Sequence, residues 1–474
     1  MKTGKWCYVL PVIGTIFGLW YVASAFADVV YSDYIRLVNS YLPDVWNFDK
    51  FFVGDILTRI PLNYVARIIN VTFFDYSIRF DQTLGIVFLG ISALQITSYC
   101  IKRNIGAFWL VGTMILIFSL NKWEMMINGS GWIHFLAFAG FYFHYLILDR
   151  MWRNEEKRGD HIWLLILPWI ITLGMAGPYC AIYTVVILLA YGFRMILTGI
   201  REGKREKRYI LYGISAVIPL MLYIWSSSLA EPEKLGVAQV PLMTQLADTP
   251  GFFVRFLVKS FSSMAMGVEC AQAVFATNTP YYVLGAVVMA AYGLALWQQW
   301  RYQLYEESIF PLMLICAGGL NHILIMVSRW VFLREDYGMS SRYALQFQAG
   351  ILGIILTFGL AWGRTGQRHL SFGGLPEKTK GMGKTMCRLF MAGIMAVLLA
   401  GNVYTTAEEV KKAPFRKEAC ENRRQIALDF ENRSDEELRA NFEYHMSRPE
   451  GGQEVREALE ILKQHQWNIF RQQK

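Results

Sequence analysis

Apolar stretches of about twenty residues recur along this chain with charged residues gathered between them, a pattern that constrains the fold more than any motif. None of them shows the two-residue alternation of a lipid-facing barrel strand. Hydrocarbon offers no partner to an unpaired N–H or C=O, so a segment that crosses it must be helical. Of 474 residues, 54% are hydrophobic, 15% aromatic and only 18% charged, which excludes a water-soluble globule. The chain is expected to be an all-α polytopic membrane protein.

About eleven spans are predicted, near residues 6–26, 83–100, 105–120, 132–148, 162–176, 179–198, 209–227, 281–298, 309–328, 343–363 and 388–405. Lys2 and Lys5, Lys102 and Arg103, Arg150 to Arg158, Arg201 to Arg208, Arg301, and Arg364 to Arg388 then fall on one side, which cation placement marks as cytoplasmic. The N-terminus is therefore read as cytoplasmic and the C-terminal tail as outside. The net charge of +9 is accounted for by the anionic inner leaflet, with no call for nucleic acid. Ala25-Phe26-Ala27 would suit signal peptidase, but the preceding apolar run is long for a signal sequence and reads as an uncleaved anchor.

The seven cysteines are scattered singly, without the spacing of a metal cage. Cys180, Cys270 and Cys420 fall outside, where one pair could oxidise; the sequence does not choose it. Gly381-Met382-Gly383-Lys384-Thr385 lacks the spacing and the preceding strand of a phosphate-binding loop, so no nucleotide site is supported.

The chemistry is expected in the outer loops. In the first, residues 27–82, Asp28 and Asp33 stand at the mouth of the first span. Tyr34, Leu37, Val38, Tyr41, Leu42 and Val45 then recur at helical spacing, predicting an amphipathic helix lying in the membrane interface. A second such helix is predicted from about Ile56 to Asn70, with Arg59, Asn63 and Arg67 opposite the apolar stripe. If Asp28 and Asp33 shared one helix they would point about 140° apart, so they would not share a proton. A later outer loop, 228–280, carries Phe253, Phe256, Leu257, Phe261 and Met264 on one helical face, with Arg255 and Lys259 on the other. That segment reads as a basic amphipathic lid or anchor. Glu124, at the outer end of the third span, and His134, just inside the fourth, are candidates to line a cavity. Residues 406–474 read as a small helical tail following a transmembrane domain of residues 1–405.

A first span, an acid in the first outer loop, two juxtamembrane helices and many further spans together resemble the GT-C superfamily of membrane glycosyltransferases. The detailed likeness lies in Gly54-Asp55-Ile56-Leu57-Thr58-Arg59-Ile60-Pro61-Leu62-Asn63-Tyr64 and Phe73-Phe74-Asp75-Tyr76-Ser77, where Asp75 stands in place of the usual glycine. It covers the first 150 or so residues, and the remainder in layout only. The resemblance implies a sugar donor carried on polyprenyl phosphate. Its acceptor would be an envelope glycan, teichoic acid, lipid or protein outside the cytoplasmic membrane. It also implies an inverting attack in which the first-loop acid removes the acceptor's proton. Asp33 matches that acid first and Asp28 second. A basic residue near the ninth and tenth spans is implied for the lipid phosphate, with Arg342 ranked ahead of Arg329; Arg59, Arg255 and Lys259 are further candidates. Arginine suits the task because its planar fork gives two hydrogen bonds to phosphate oxygens. No organic cofactor is called for; a divalent cation serves some GT-C enzymes, and a single-acid loop favours none here. Two other readings stand beside this one: a polymerase or ligase of lipid-linked glycans, and a transporter or flippase. Nearly charge-free span centres, Asn321 and His322 apart, and the lack of an internal repeat weigh against transport.

Overall fold

A computed structural model describes residues 4–52, 60–203, 206–229, 237–364, 377–445 and 450–471. All regular structure among them is helical, and ten helices are long and apolar enough to cross a membrane. Helix α1 (Val9–Ala25) shows how each is built: Val9, Val12, Ile13, Ile16 and Trp20 form an exposed stripe. Gly14, Gly18, Tyr21, Val22 and Ala25 turn inward, a periodicity suited to lipid on one side and protein on the other. Helices α2 (Asp33–Tyr41) and α3 (Pro61–Phe74) lie in the loop that follows, and α4 (Ile78–Lys102) recrosses. Next come α5 (Ala107–Ile117), extended by a short α6 (Trp123–Ile127), and α7 (Trp132–Trp152).

The predicted fifth span is the shorter apolar helix Asp160–Met175. It consists of α8 (Asp160–Trp169) and a π-type turn, Ile170–Met175, beginning two residues after Pro168, whose ring interrupts the normal hydrogen-bond ladder. Helices α9 (Cys180–Glu202) and α10 (Arg208–Ser228) follow, then α11 (Leu242–Asp248), α12 (Pro250–Ser262) and α13 (Val268–Val274) in the second long loop. The bundle closes with α14 (Thr279–Arg301), a short α15 (Leu304–Glu307), α16 (Phe310–Arg329) and α17 (Ala344–Arg364). Helices α16 and α17 pack backbone to backbone at Gly318, where a methyl group would collide with Gly350.

The 52-residue α18 (Glu377–Leu428) continues without a break through the expected boundary at 405, and α19 (Asp435–Phe442) and α20 (Gly451–Gln464) fold back from its end. This tail changes the picture of the first loop. Helix α2 does not lie against lipid as expected: Tyr34, Leu37, Val38, Tyr41, Leu42 and Val45 are all buried, with α20 packed along the helix. Phe442 O accepts from Ser32 N at 2.8 Å, Arg36 contacts His445 at 3.0 Å, and Asn39 donates to Glu454 O at 2.9 Å. Helix α12 likewise packs into the bundle end, against α14 and α16, rather than lying over it as a lid. Phe253, Phe256 and Ser260 are buried there, and Ser260 meets His322 of α16 at 2.6 Å.

Candidate functional site

The site forms at the end of the bundle that carries the long loops. Ser32, just before α2, has φ 50° and ψ −131°, and its amide is tied to Phe442. The chain then turns directly into α2, whose first residue is Asp33. The Asp33 carboxylate is 37% exposed and makes no hydrogen bond among the described residues; its charged neighbour is Arg342 Nη1 at 4.0 Å. Arg342 comes from a 3-10 turn, Ser341–Tyr343, capped by the Ser340 hydroxyl. Its Nε donates to Glu124 at the start of α6, and Ser341 Oγ donates to the other Glu124 oxygen at 3.0 Å. Glu124 thus pins one edge of the guanidinium, leaving the opposite edge toward Asp33. The structure brings together Asp33, Glu124 and Arg342, which the sequence places in three distant loops.

A second polar group lies beside the first. Tyr343, next to Arg342, holds its ring 5.9 Å from the Arg329 guanidinium at the end of α16. Arg329 has no acidic partner among the described residues, and its buried Nε makes no hydrogen bond there. Gln346 donates to the Tyr179 hydroxyl at 2.8 Å, and the His134 ring stands edge-on to Tyr179 with centroids 4.9 Å apart. Gln346 Oε1 and His134 Nδ1 are also without hydrogen bonds among the described residues. Three polar atoms are therefore buried without partners close together at this end of the bundle.

The other candidates lie elsewhere. Asp28 is occupied: it accepts from Ile78 N at 2.8 Å, Ser77 Oγ at 2.7 Å and Asn468 Nδ2 at 3.3 Å, with Arg471 at 3.6 Å. A carboxylate at a helix N-terminus is well placed to satisfy its open N–H groups, and Asp28 does this for α4. The backbone between Asp28 and Asp33 is not helical, yet their partners are separate. Arg255 and Lys259 both engage Glu335, at 2.6 Å and 3.1 Å. Burial alone would raise the Glu335 carboxyl, but these two donors outweigh it and hold it below the usual range. Arg59 lies outside the described residues. No disulfide joins any of the cysteines among the described residues, and no group of three His, Cys, Asp or Glu among them could hold a metal ion.

One cluster beneath the site escaped sequence reasoning. Arg67 of α3 and Asp81 of α4 form a fully buried ion pair, to which the Tyr34 hydroxyl also donates. Burial raises the Tyr34 phenol well above its ordinary value, with the Asp81 charge adding to the effect; it stays a donor. The sequence pattern puts Arg67 on a polar helical face, but nothing in its spacing from Asp81 signals that the face is buried. Asp75, where the resembling pattern has glycine, takes φ 50°, and Tyr76 follows at φ 57°. That left-handed turn is one Asp tolerates better than most residues.

No family model, curated protein or solved structure matches this chain. A functional reading therefore rests on the residues and their geometry.

Proposed function

We propose that the chain is a membrane glycosyltransferase that moves a sugar from polyprenyl phosphate to an acceptor hydroxyl on the outer side of the cytoplasmic membrane. The observation that carries the reading is the Asp33 carboxylate, open to an incoming group and 4.0 Å from an arginine that Glu124 holds in place. A hydroxyl is a poor nucleophile until a base accepts its proton, and Asp33 is positioned to do so as the oxygen attacks the anomeric carbon. The bond from that carbon to the phosphate oxygen breaks with inversion, and polyprenyl phosphate leaves with the electron pair. Arg329, without an acidic partner among the described residues, and the open edge of Arg342 are the cations that would receive the phosphate oxygens. An envelope glycan, teichoic acid, lipid or protein would supply the hydroxyl. The placement of the cation-poor loops supports the outward-facing orientation.

The test is mass spectrometry of the purified protein incubated with a panel of polyprenyl-phosphate sugars, following polyprenyl phosphate release. Asp33→Asn should reduce release about 10²–10⁴-fold while donor binding persists. Equal release from both proteins removes Asp33 from the reaction. Release from neither, with every donor tried, removes the transferase reading.

A further inference from the structure

At the opposite, cation-rich end, a cavity of about 320 Å³ opens between α4 and α7. It is lined by Lys102, Arg103, Arg150 and Arg153, with Asp149 among them, at the ends of these helices. Nearer the middle of the helices Leu94 and Phe143 line it, and both are exposed, as is Tyr8. Leu94 and Phe143 belong to helices long and apolar enough to span a membrane. The cavity therefore grades from cations to a groove that lipid would fill. A second cavity of about 420 Å³ adjoins it, sharing Arg103 and Arg153 and adding Arg194.

The cations are not all occupied by acids. Arg150 is committed to Asp160 through two hydrogen bonds of 3.0 and 2.5 Å. Buried Asp149 accepts from Arg153 at 3.1 Å, but also from Ser308 Oγ at 2.6 Å and the Phe310 amide at 3.2 Å. Arg103 comes only within 3.6 Å of Asp149, and its buried Nε and Nη2 atoms make no hydrogen bond among the described residues. Lys102 is exposed and has no acidic partner among them. A partly exposed guanidinium held only by that 3.6 Å ion pair, beside the exposed Lys102 ammonium, is matched by the oxygens of a phosphate ester. Basic pockets between helices at the cation-rich face suit anionic headgroups.

We propose that this cavity binds the phosphate headgroup of an anionic membrane amphiphile, with an acyl chain lying along Leu94 and Phe143. The site is independent of the transferase reading. The full chain is taken from vesicles of mixed phosphatidylglycerol and phosphatidylcholine and examined by native mass spectrometry for retained lipid. Wild type should retain phosphatidylglycerol selectively. Lys102→Gln and Arg103→Gln should each lower its occupancy about fivefold, whereas Lys207→Gln, an equal loss of charge on an exposed residue at the same end, should not. Lys102 is exposed, so its variant folds even where Arg103→Gln disturbs Asp149. Retention that is equal for the two lipids, or equal in wild type and Lys102→Gln, overturns the proposal. Thermal stabilisation by inorganic phosphate alone, lost in Lys102→Gln and accompanied by no retained lipid, overturns the membrane source and assigns the cavity to a soluble phosphate.

Discussion

A serine held at φ 50° and ψ −131° costs about 1–3 kcal/mol, and Ser32 keeps that conformation because Phe442 fixes its amide. The turn it makes sets Asp33 facing Arg342. Glu124 acts on the same geometry from the other side. Glu124→Gln should keep the fold yet lower kcat/KM roughly 10- to 100-fold, matching the ~1.5–3 kcal/mol that a hydrogen bond to a charged group contributes. A pre-steady-state measurement of polyprenyl phosphate release checks it; unchanged kinetics would show that Arg342 needs no anchor. Arg67→Ala should do something different: it strands a buried Asp81 carboxylate and should destabilise by about 3–5 kcal/mol, read as a fall in thermal midpoint. Asp33, Glu124 and Arg342 were individually legible, because a charge at the end of an apolar run stands out. Their meeting was not, since spacing along the chain says nothing of which loops share a place. The Arg67–Asp81 pair was illegible for a related reason: a polar stripe looks the same whether it faces water or a buried carboxylate.

Two elements turned out differently from their amphipathic patterns. Helix α3 buries its polar residues Asn63, Arg67 and Asn70 together with Tyr64 and Ala66, and exposes Val65, Ile69 and Phe73, so its polar face is a covered one. Helix α12 spends its basic face on Glu335, from the loop between α16 and α17. Periodicity found both helices because it depends only on local spacing, but which face is covered is decided by distant segments. The α12 clasp has a pH dependence with a definite sign. A carboxyl depressed in the folded state contributes stability above its unfolded pKa and loses it as pH falls through the folded value. Protection factors at residues 250–262, taken from exchange rates corrected for the pH dependence of the intrinsic rate, should therefore be high near neutral pH and fall below the ordinary glutamate value of about 4.3. Glu335→Gln should exchange faster at neutral pH and lose that acid transition.

Across the whole molecule, the membrane bundle was readable from hydropathy because the bilayer imposes one length and one backbone solution on every span. The tail's role was not, because its helices carry ordinary surface composition and their target is at the other end of the chain. Truncation after Asp429 would remove α19 and α20 and bare the apolar residues of α2, each worth about 1.5–3 kcal/mol when buried. The truncated protein should still insert, but limited proteolysis should cut within residues 27–52 and polyprenyl phosphate release should be lost. Intact residues 27–52 in that protein would mean that α2 holds its place unaided. Arg36 and His445 are 409 positions apart, and that separation has a temporal meaning. A ribosome delivers α2 near the start of synthesis and α20 at its end, so every intervening span is made while Asp33 sits on an unfinished support. The candidate site thus matures last, and a nascent chain halted just before α20 would hold its spans yet lack the support that seats α2.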